Sequence, residues 1–360
     1  MKTILIIANN DVGLYNFRKE LLEELLKRFR VYISLPYGER VIDMVNMGCK
    51  YIETGVDRRG MNPVKDIKLF FCYIKMCAKI KPDIVISYTI KPNLYGGLAT
   101  RLFNIRFFPY VAGLGTPFKK EGIVKYILTS LHRVAFKKAE RVFFENIESL
   151  NYYQQKRIVN NNYIKIPGAG VNLNEYSFTD YPEQREPVTF LFIGRIMKEK
   201  GVDELLYSSE KLILNGLPVR IWVIGDMEEN YAEKIQESLD KKVIKYFGFQ
   251  KDVKPFIKGA HCIVLPSYHE GMANVLLEAA AMGRPLITSN VHGCLEAVDD
   301  GKTGYLCKVK DPNDLYKKMV KFVAIPYNKQ KEMGRLSRRH IEHRFDRRLV
   351  VEEIIEVIMK

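Results

Sequence analysis

Disulfide, zinc-binding and membrane-spanning patterns are all missing from this 360-residue chain. Its six cysteines, Cys49, Cys72, Cys77, Cys262, Cys294 and Cys307, form no Cys-x-x-Cys pair, no zinc spacing and no disulfide framework. They sit mostly in apolar segments, the habit of a reducing cytosol. No stretch approaches the roughly 20 consecutive apolar residues that a spanning helix needs. Even the segment around Leu69 to Cys77 is interrupted, by Lys68 and Lys75. Met1 to Ala8 has neither the long apolar region nor the cleavage site of a secretory signal, and reads as a first buried strand. Asp-x-Asp occurs nowhere, and Asp299-Asp300 runs into Gly301 as a turn. The carboxylates that usually hold a magnesium-bound diphosphate are therefore lacking. His292-Gly293-Cys294-Leu295-Glu296 has no second ligand cluster that would make it a metal site. Short-period repeats and low-complexity tracts are also absent.

What is present favours two domains. The chain is 47% hydrophobic and 11% aromatic, enough for sizeable cores. Short runs rich in Val, Ile and Phe alternate with amphipathic helical segments, which predicts parallel sheets with crossover helices. Strands are expected over 3–8, 30–35, 50–53, 83–88, 107–112 and 142–145, then over 188–193, 219–224, 243–247, 261–265 and 286–289. The proline- and glycine-containing stretch from Ile166 to Pro187 suits a connection between them. The expected domains are 1–170 and 171–344, with a C-terminal helix over 345–360 packing back on the first.

The segment Pro266-Ser267-Tyr268-His269-Glu270-Gly271-Met272-Ala273-Asn274 follows a strand and leads into a helix that stops before Gly283 and Pro285. Parallel sheets bind ligands at such strand ends, where helix N-termini offer free amides to anions. Gly271 allows close backbone approach, and the amides near Met272, Ala273 and Asn274 are the expected donors. Glu270 can reach sugar hydroxyls, and Glu278, one turn beyond Asn274, can accept from a ribose diol. The competing reading makes Glu270 a helix-start acid and Glu278 a solvated helix residue. A second motif, Phe192-Ile193-Gly194-Arg195-Ile196-Met197-Lys198-Glu199-Lys200-Gly201, places Arg195 and Lys200 at another strand end. Two cations there can neutralise a departing pyrophosphate. Gly225 with Asp226, and Asp252 with Val253, end later strands and are candidates for lining the same pocket, though ordinary turns explain them equally. In the first half, Gly13, Tyr15 and Arg18 follow the first strand, and Lys91, Asn93 and Gly113 follow later ones.

The Glu-x7-Glu spacing of Glu270 and Glu278, within Pro-Ser-x-x-Glu-Gly and Leu-Leu-Glu-Ala, resembles retaining GT-B glycosyltransferases of family four. The resemblance implies a two-domain α/β fold, two Rossmann-like doubly wound domains facing each other across a cleft. By resemblance, Glu278 binds the donor ribose, Glu270 the donor hexose, and Gly271 to Asn274 the distal phosphate. Arg195 and Lys200 stabilise the leaving group in place of a metal, and no cofactor is required. Gly13, Gly194, Gly225, Asp252 and Val253 complete the donor site, and Tyr15, Arg18, Lys91, Asn93 and Gly113 stand on the acceptor side. The stretches Tyr88 to Ala99 and Val111 to Thr116 resemble the subgroup acting on polyprenyl-diphosphate-linked sugars, including capsule and O-antigen enzymes. The implied reaction moves a hexose or N-acetylhexosamine from a UDP-sugar to an undecaprenyl-diphosphate-linked saccharide, with retention. The chain departs from the family where a His-Asp pair is common, after Val111-Ala112-Gly113. His132, nearby, reads as a helix-surface residue.

Charge is the remaining signal. Nearly all of the net +15 lies in the first half: residues 1–170 hold 28 Lys/Arg against 14 Asp/Glu. Lys119 to Arg141 mixes Lys119, Lys120, Lys125, Arg133, Lys137, Lys138 and Arg141 with Ile123, Tyr126, Ile127, Leu131, Val134 and Phe136. Such a helix can lie on the anionic inner face of a cell membrane, where a lipid-linked acceptor resides. Lys65 to Lys81, with Phe70, Phe71 and Tyr73, extends the patch. No nucleic-acid partner is expected. A nucleotide-sugar epimerase of similar architecture, or a non-catalytic basic binding protein, is the alternative.

Overall fold

The computed structural model describes residues 1–57, 62–114, 118, 122–184 and 187–360. The chain divides into two compact units, Met1–Ala169 with Arg348–Lys360, and Gly170–Arg347.

The first unit holds a seven-stranded parallel sheet: β1 (Thr3–Ile7), β2 (Arg30–Leu35), β3 (Lys50–Glu53), β4 (Ile84–Tyr88), β5 (Arg106–Val111), β6 (Val142–Phe144) and β7 (Tyr163–Lys165). Their order is β3-β2-β1-β4-β5-β6-β7. The second unit holds β8 (Val188–Ile193), β9 (Val219–Ile224), β10 (Lys245–Tyr246), β11 (Cys262–Leu265), β12 (Leu286–Ser289) and β13 (Gly304–Cys307), ordered β10-β9-β8-β11-β12-β13. Winding reverses between β1 and β4 in one sheet and between β8 and β11 in the other. In an open parallel sheet the crevice at the carboxyl ends of such a strand pair is where ligands sit.

The central strands β1 and β8 are apolar but for Thr3 and Thr189, the pattern of parallel strands covered on both faces. In the first unit the helices Pro63–Ile80, Gly97–Leu102 and Ile123–Phe136 cover one face, contributing Leu69, Tyr73, Met76, Ala99, Ala135 and Phe136 to one core. On the other face lie the helices Asp11–Leu26 and Arg40–Asn46, together with Val350, Val351, Ile354, Ile355 and Ile358 of the last helix, Arg347–Met359.

The structure departs from expectation in four places. Two edge strands, β7 and β13, lie in segments too short or too polar to stand out. The stretch expected as a connection packs instead: from Gly170 to Gln184 it lies in the second unit, in keeping with the expected boundary near residue 170, and the buried guanidinium of Arg284 donates to the carbonyls of Thr179 at 3.1 Å and Asp180 at 2.8 Å. His132 is buried, not on the surface. Its helix turns Thr129, His132, Ala135 and Phe136 inward, so helical phase overrides residue type. His132 Nδ1 lies 2.8 Å from the Leu128 carbonyl, and burial drives the imidazole down to about 4. Phe136, too, faces the core rather than the outer surface. Of the residues expected in the basic helix and the loop before it, Lys119, Lys120, Gly115 and Thr116 lie outside the described residues.

Candidate functional site

In the second unit the turns after β8 and β11 are locked together. Gly201 adopts a left-handed φ of 72°, and a Cβ there would stand 2.1 Å from the Pro266 carbonyl oxygen. The Tyr268 N–H donates to the Glu199 carbonyl at 2.9 Å. This packing brings Lys200 Nζ to 2.5 Å from Glu270 Oε1, and Ser267 Oγ donates to the same oxygen at 2.8 Å. Both charged side chains are largely buried. Gly201→Ala is expected to destabilise this unit by about 2–3 kcal/mol, since left-handed strain and a backbone collision act together. Urea unfolding followed by tryptophan emission measures it, because Trp222 is the one tryptophan of the chain. A variant as stable as the parent would contradict this packing.

The expected amide cradle is smaller than its sequence suggests. The Ala273 N–H donates to the Gly293 carbonyl at 2.7 Å, and the Asn274 N–H turns back to the Met272 carbonyl at 3.0 Å. The first donor is consumed because the 290s loop docks on the 270s loop, the second by a local turn. Gly293, at φ 88°, has no room for a Cβ against the Glu270 and Gly271 carbonyls, 2.7 Å away. Among the described residues the Met272 N–H has no partner, and Asn274 Oδ1 is buried with none. An orphaned buried acceptor is costly and marks a place where a ligand donor would be welcome.

Glu278 projects from the helix Asn274–Ala281 into a cluster the sequence did not announce. Burial pushes its carboxyl up to about 7, against the opposing pull of Arg347, while Glu175 adds to the rise and a Tyr176 hydrogen bond opposes it. Asp252 Oδ1 accepts from the Lys254 N–H at 3.1 Å and lies 3.2 Å from Lys254 Nζ, which sits 5.7 Å from the centroid of the Tyr176 ring. Val253 begins the helix Lys254–Gly259, its carbonyl accepting from Ile257 at 3.0 Å. Asp252, Val253 and Glu278 thus share a neighbourhood with Tyr176, Glu175, Lys254 and Arg347. No motif marks those four, because they arrive from three distant segments.

Arg195 is exposed, with Nη1 donating to Glu228 Oε2 at 2.7 Å. Gly194 and Gly225 are where the turns after β8 and β9 touch: a Cβ on Gly225, at φ 147°, would lie 1.8 Å from the Gly194 carbonyl oxygen. Their glycines serve close backbone approach.

In the first unit Gly13 lies in the first turn of its helix, its N–H donating to Asn10 Oδ1 at 2.6 Å. Tyr15 is half-buried beneath Arg40, whose guanidinium carbon is 5.1 Å from the ring centroid. Lys91 Nζ donates to Asp66 Oδ1 at 2.6 Å, and Gly113 is half-buried beyond β5. Two acceptor-side expectations meet a different environment. Arg18 is buried, donating to Glu145 at 2.9 Å and lying 4.1 Å from the Tyr110 ring centroid. Asn93 is buried, accepting from Ser87 Oγ at 2.6 Å and donating to the Tyr110 carbonyl at 2.9 Å. Both brace the sheet: a buried ion pair and a satisfied amide have their polar atoms committed to neighbours. Among the described residues no three His, Cys, Asp or Glu stand as a metal-ligand group.

Known proteins resemble the chain along both units. Residues 3–146 match a family model described as glycosyl transferase 4-like, and residues 187–324 one described as glycosyl transferases group 1. The N,N'-diacetylbacillosaminyl-diphospho-undecaprenol alpha-1,3-N-acetylgalactosaminyltransferase of Campylobacter jejuni is 27% identical over 331 residues, 87% of each chain. The UDP-Gal:alpha-D-GlcNAc-diphosphoundecaprenol alpha-1,3-galactosyltransferase of Escherichia coli is 26% identical, covering 73% of this chain and 72% of its own. HepE of Anabaena, crystallised with UDP and glucose, shares the fold with a TM-score of 0.80 at 15% identity over 100% of both chains.

Proposed function

We propose that this chain, a glycosyltransferase in which a 4-like domain precedes a group 1 domain, moves a hexose or N-acetylhexosamine from a UDP-sugar to a saccharide on undecaprenyl diphosphate. The reaction retains anomeric configuration and needs no metal. It serves surface polysaccharide or glycan assembly at the inner face of the cell membrane. Relatives named as transferases onto undecaprenol-linked saccharides, alike over most of both chains, support the acceptor class.

The observation that carries the reading is the pairing of Lys200 with Glu270 beside an orphaned Asn274 acceptor, at the carboxyl ends of β8 and β11. Glu278 accepts from the ribose hydroxyls. Glu270 receives hydroxyls of the donor sugar, and Lys200, with Arg195 released from Glu228, faces the diphosphate. The acceptor oxygen bonds to the anomeric carbon on the face from which the phosphate oxygen departs. That phosphate oxygen takes the acceptor proton, and the two cations offset the charge it gains.

Incubation with a panel of UDP-, GDP- and dTDP-sugars and short-chain polyprenyl-diphosphate sugars, read by mass spectrometry, tests it. The expected product is the extended lipid saccharide with unchanged anomeric configuration by NMR, formed at the same rate in excess EDTA. Conversion of a UDP-sugar without an acceptor would instead establish an epimerase. Consumption of no nucleotide sugar would leave a binding protein.

A further inference from the structure

The loop that carries Glu270 has no regular structure of its own, so its shape is set by whatever grips its two ends. At the first end Tyr268 is fixed twice. Its N–H donates to the Glu199 carbonyl at 2.9 Å, and its hydroxyl donates to Glu204 Oε1 at 2.8 Å. Glu204 belongs to the helix Val202–Leu214, a rigid support. At the far end the grip is the Ala273 N–H on the Gly293 carbonyl, at 2.7 Å. Gly293 lies in a loop as well, between β12 and the short helical turn Leu295–Ala297, and a glycine rotates its peptide with little steric resistance. The far grip is therefore only as firm as whatever holds the Gly293 peptide.

Glu296 holds it. Its Oε2 accepts from the Gly293 N–H at 2.7 Å, and its Oε1 lies 3.0 Å from His292 Nδ1, so both carboxylate oxygens are committed to this loop. The side chain is 15% exposed, and water competes little for those oxygens. The Glu296 carbonyl in turn accepts from His340 Nε2 at 2.9 Å. His340 stands on the helix Tyr327–Arg344, from which Arg338 also donates to the carbonyl of Ala281 at 2.8 Å. One helix thus braces the end of Asn274–Ala281 and, through Glu296, the loop that leads into its start. It packs closely there, because a Cβ on Gly334 would stand 2.2 Å from the Gly283 carbonyl oxygen. Burial pushes the Cys294 thiol well up, and the charges of Glu270, Lys200 and Glu296 all act on it, so the clamp and the Lys200–Glu270 pair are neighbours.

We infer that Glu296 is a positioning residue for sugar transfer: it fixes the Gly293 peptide, Gly293 fixes Ala273, and the stretch from Glu270 to Asn274 is thereby held in place against the donor. The inference rests on the donor-site reading above and deepens it. Loss of the carboxylate frees the Gly293 peptide to turn its carbonyl away from Ala273. A displacement of about 1 Å at a reacting centre costs about 10²-fold in rate. UDP senses less of this than the whole donor does, because it lacks the transferred hexose and is gripped by Glu278 and Lys200 independently of Gly293.

The test compares the full-length parent with Glu296→Ala and Glu296→Gln. The alanine variant should lose about 10²-fold in kcat while its UDP affinity, read by calorimetry, changes by about threefold or less. The glutamine variant keeps an acceptor at the same reach and should recover most of the loss. In the unliganded proteins, amide exchange read by mass spectrometry should be about tenfold faster at Ala273 and Gly293 in the alanine variant, the effect of one weakened hydrogen bond. If the alanine variant folds poorly, Glu296→Asp, a methylene shorter, should show the same split between kcat and UDP affinity to a lesser degree. A kcat within threefold of the parent in Glu296→Ala, a glutamine variant as impaired as the alanine one, or unchanged exchange at Ala273 would each overturn the assignment. So would a fall in UDP affinity parallel to that in kcat, since that marks general damage to the unit. A parent that transfers no sugar would overturn the transfer reading instead, and the exchange measurement still decides whether Glu296 clamps the loop.

Discussion

Replacing Lys200 with alanine should lower turnover by about 10²–10³-fold, the cost of removing one preorganised group from a developing charge. The loss should fall mainly on kcat. The donor diphosphate is already anionic in the ground state, but it gains a further charge as its bond to the sugar breaks, and only that gain distinguishes the transition state. A purely structural explanation competes, since Lys200 Nζ lies 2.5 Å from Glu270 Oε1 and both side chains are largely buried. Among the described residues, removing the lysine leaves the Glu270 carboxylate with the Ser267 hydroxyl as its remaining side-chain hydrogen bond, a mispairing that itself destabilises. The double variant Lys200→Met, Glu270→Gln separates the two, because it deletes both charges and preserves volume. If Lys200 merely neutralised Glu270, the double variant would regain stability and match the turnover of Glu270→Gln alone. If Lys200 serves the leaving group, stability returns while turnover stays well below that of Glu270→Gln alone, a coupling that a double-mutant cycle resolves. A single Lys200→Ala variant within tenfold of the parental kcat would remove Lys200 from the chemistry.

The parts of this molecule that were legible in the sequence are those set by local pattern. Apolar runs such as Thr3–Ile7 and Val188–Ile193 announce buried parallel strands, and the spacing of Glu270 and Glu278 puts both near one helix start. What long-range contact decides was illegible. Arg347 reaches the Glu278 neighbourhood from 69 positions away, and Tyr176 comes from a stretch that reads as linker. The amide of Ala273 looks free until the Gly293 loop is known to lie against it. His132 reads as a surface residue by its type, whereas helical phase places it inward. Its neighbours at three and four positions, Thr129, Ala135 and Phe136, are all buried, and that periodicity was readable. Arg18 shows the converse: a cation after a first strand suggests a ligand, whereas Glu145, 127 positions later, claims it.

Glu278→Gln should separate the donor site's cost from its use. Burial raises the folded-state carboxyl from 4.5 to about 7, so the folded protein prefers it protonated. Its contribution to stability is complete below about 4.5 and is lost as pH rises through about 7, by roughly 3 kcal/mol if the whole shift is expressed. The unliganded glutamine variant, which cannot ionise, should therefore match the parent at pH 4.5 and exceed it in melting temperature at pH 8. Binding should move the other way. A ribose diol donates two hydroxyls, the ionised carboxylate is the better acceptor, and the ligand compensates for desolvation that the free site bears. UDP affinity of the parent should weaken as pH falls below about 7, with proton release on binding below that value. The variant should bind UDP about 10–100-fold more weakly at pH 8, with a flat pH profile. Calorimetry in two buffers of different ionisation enthalpy reads both the affinity and the proton count. Parallel melting profiles for the two proteins would deny the strained carboxyl. UDP binding indifferent to the substitution would place the ribose elsewhere, because a carboxylate desolvated at a cost of this size without a ligand to accept is otherwise difficult to rationalise.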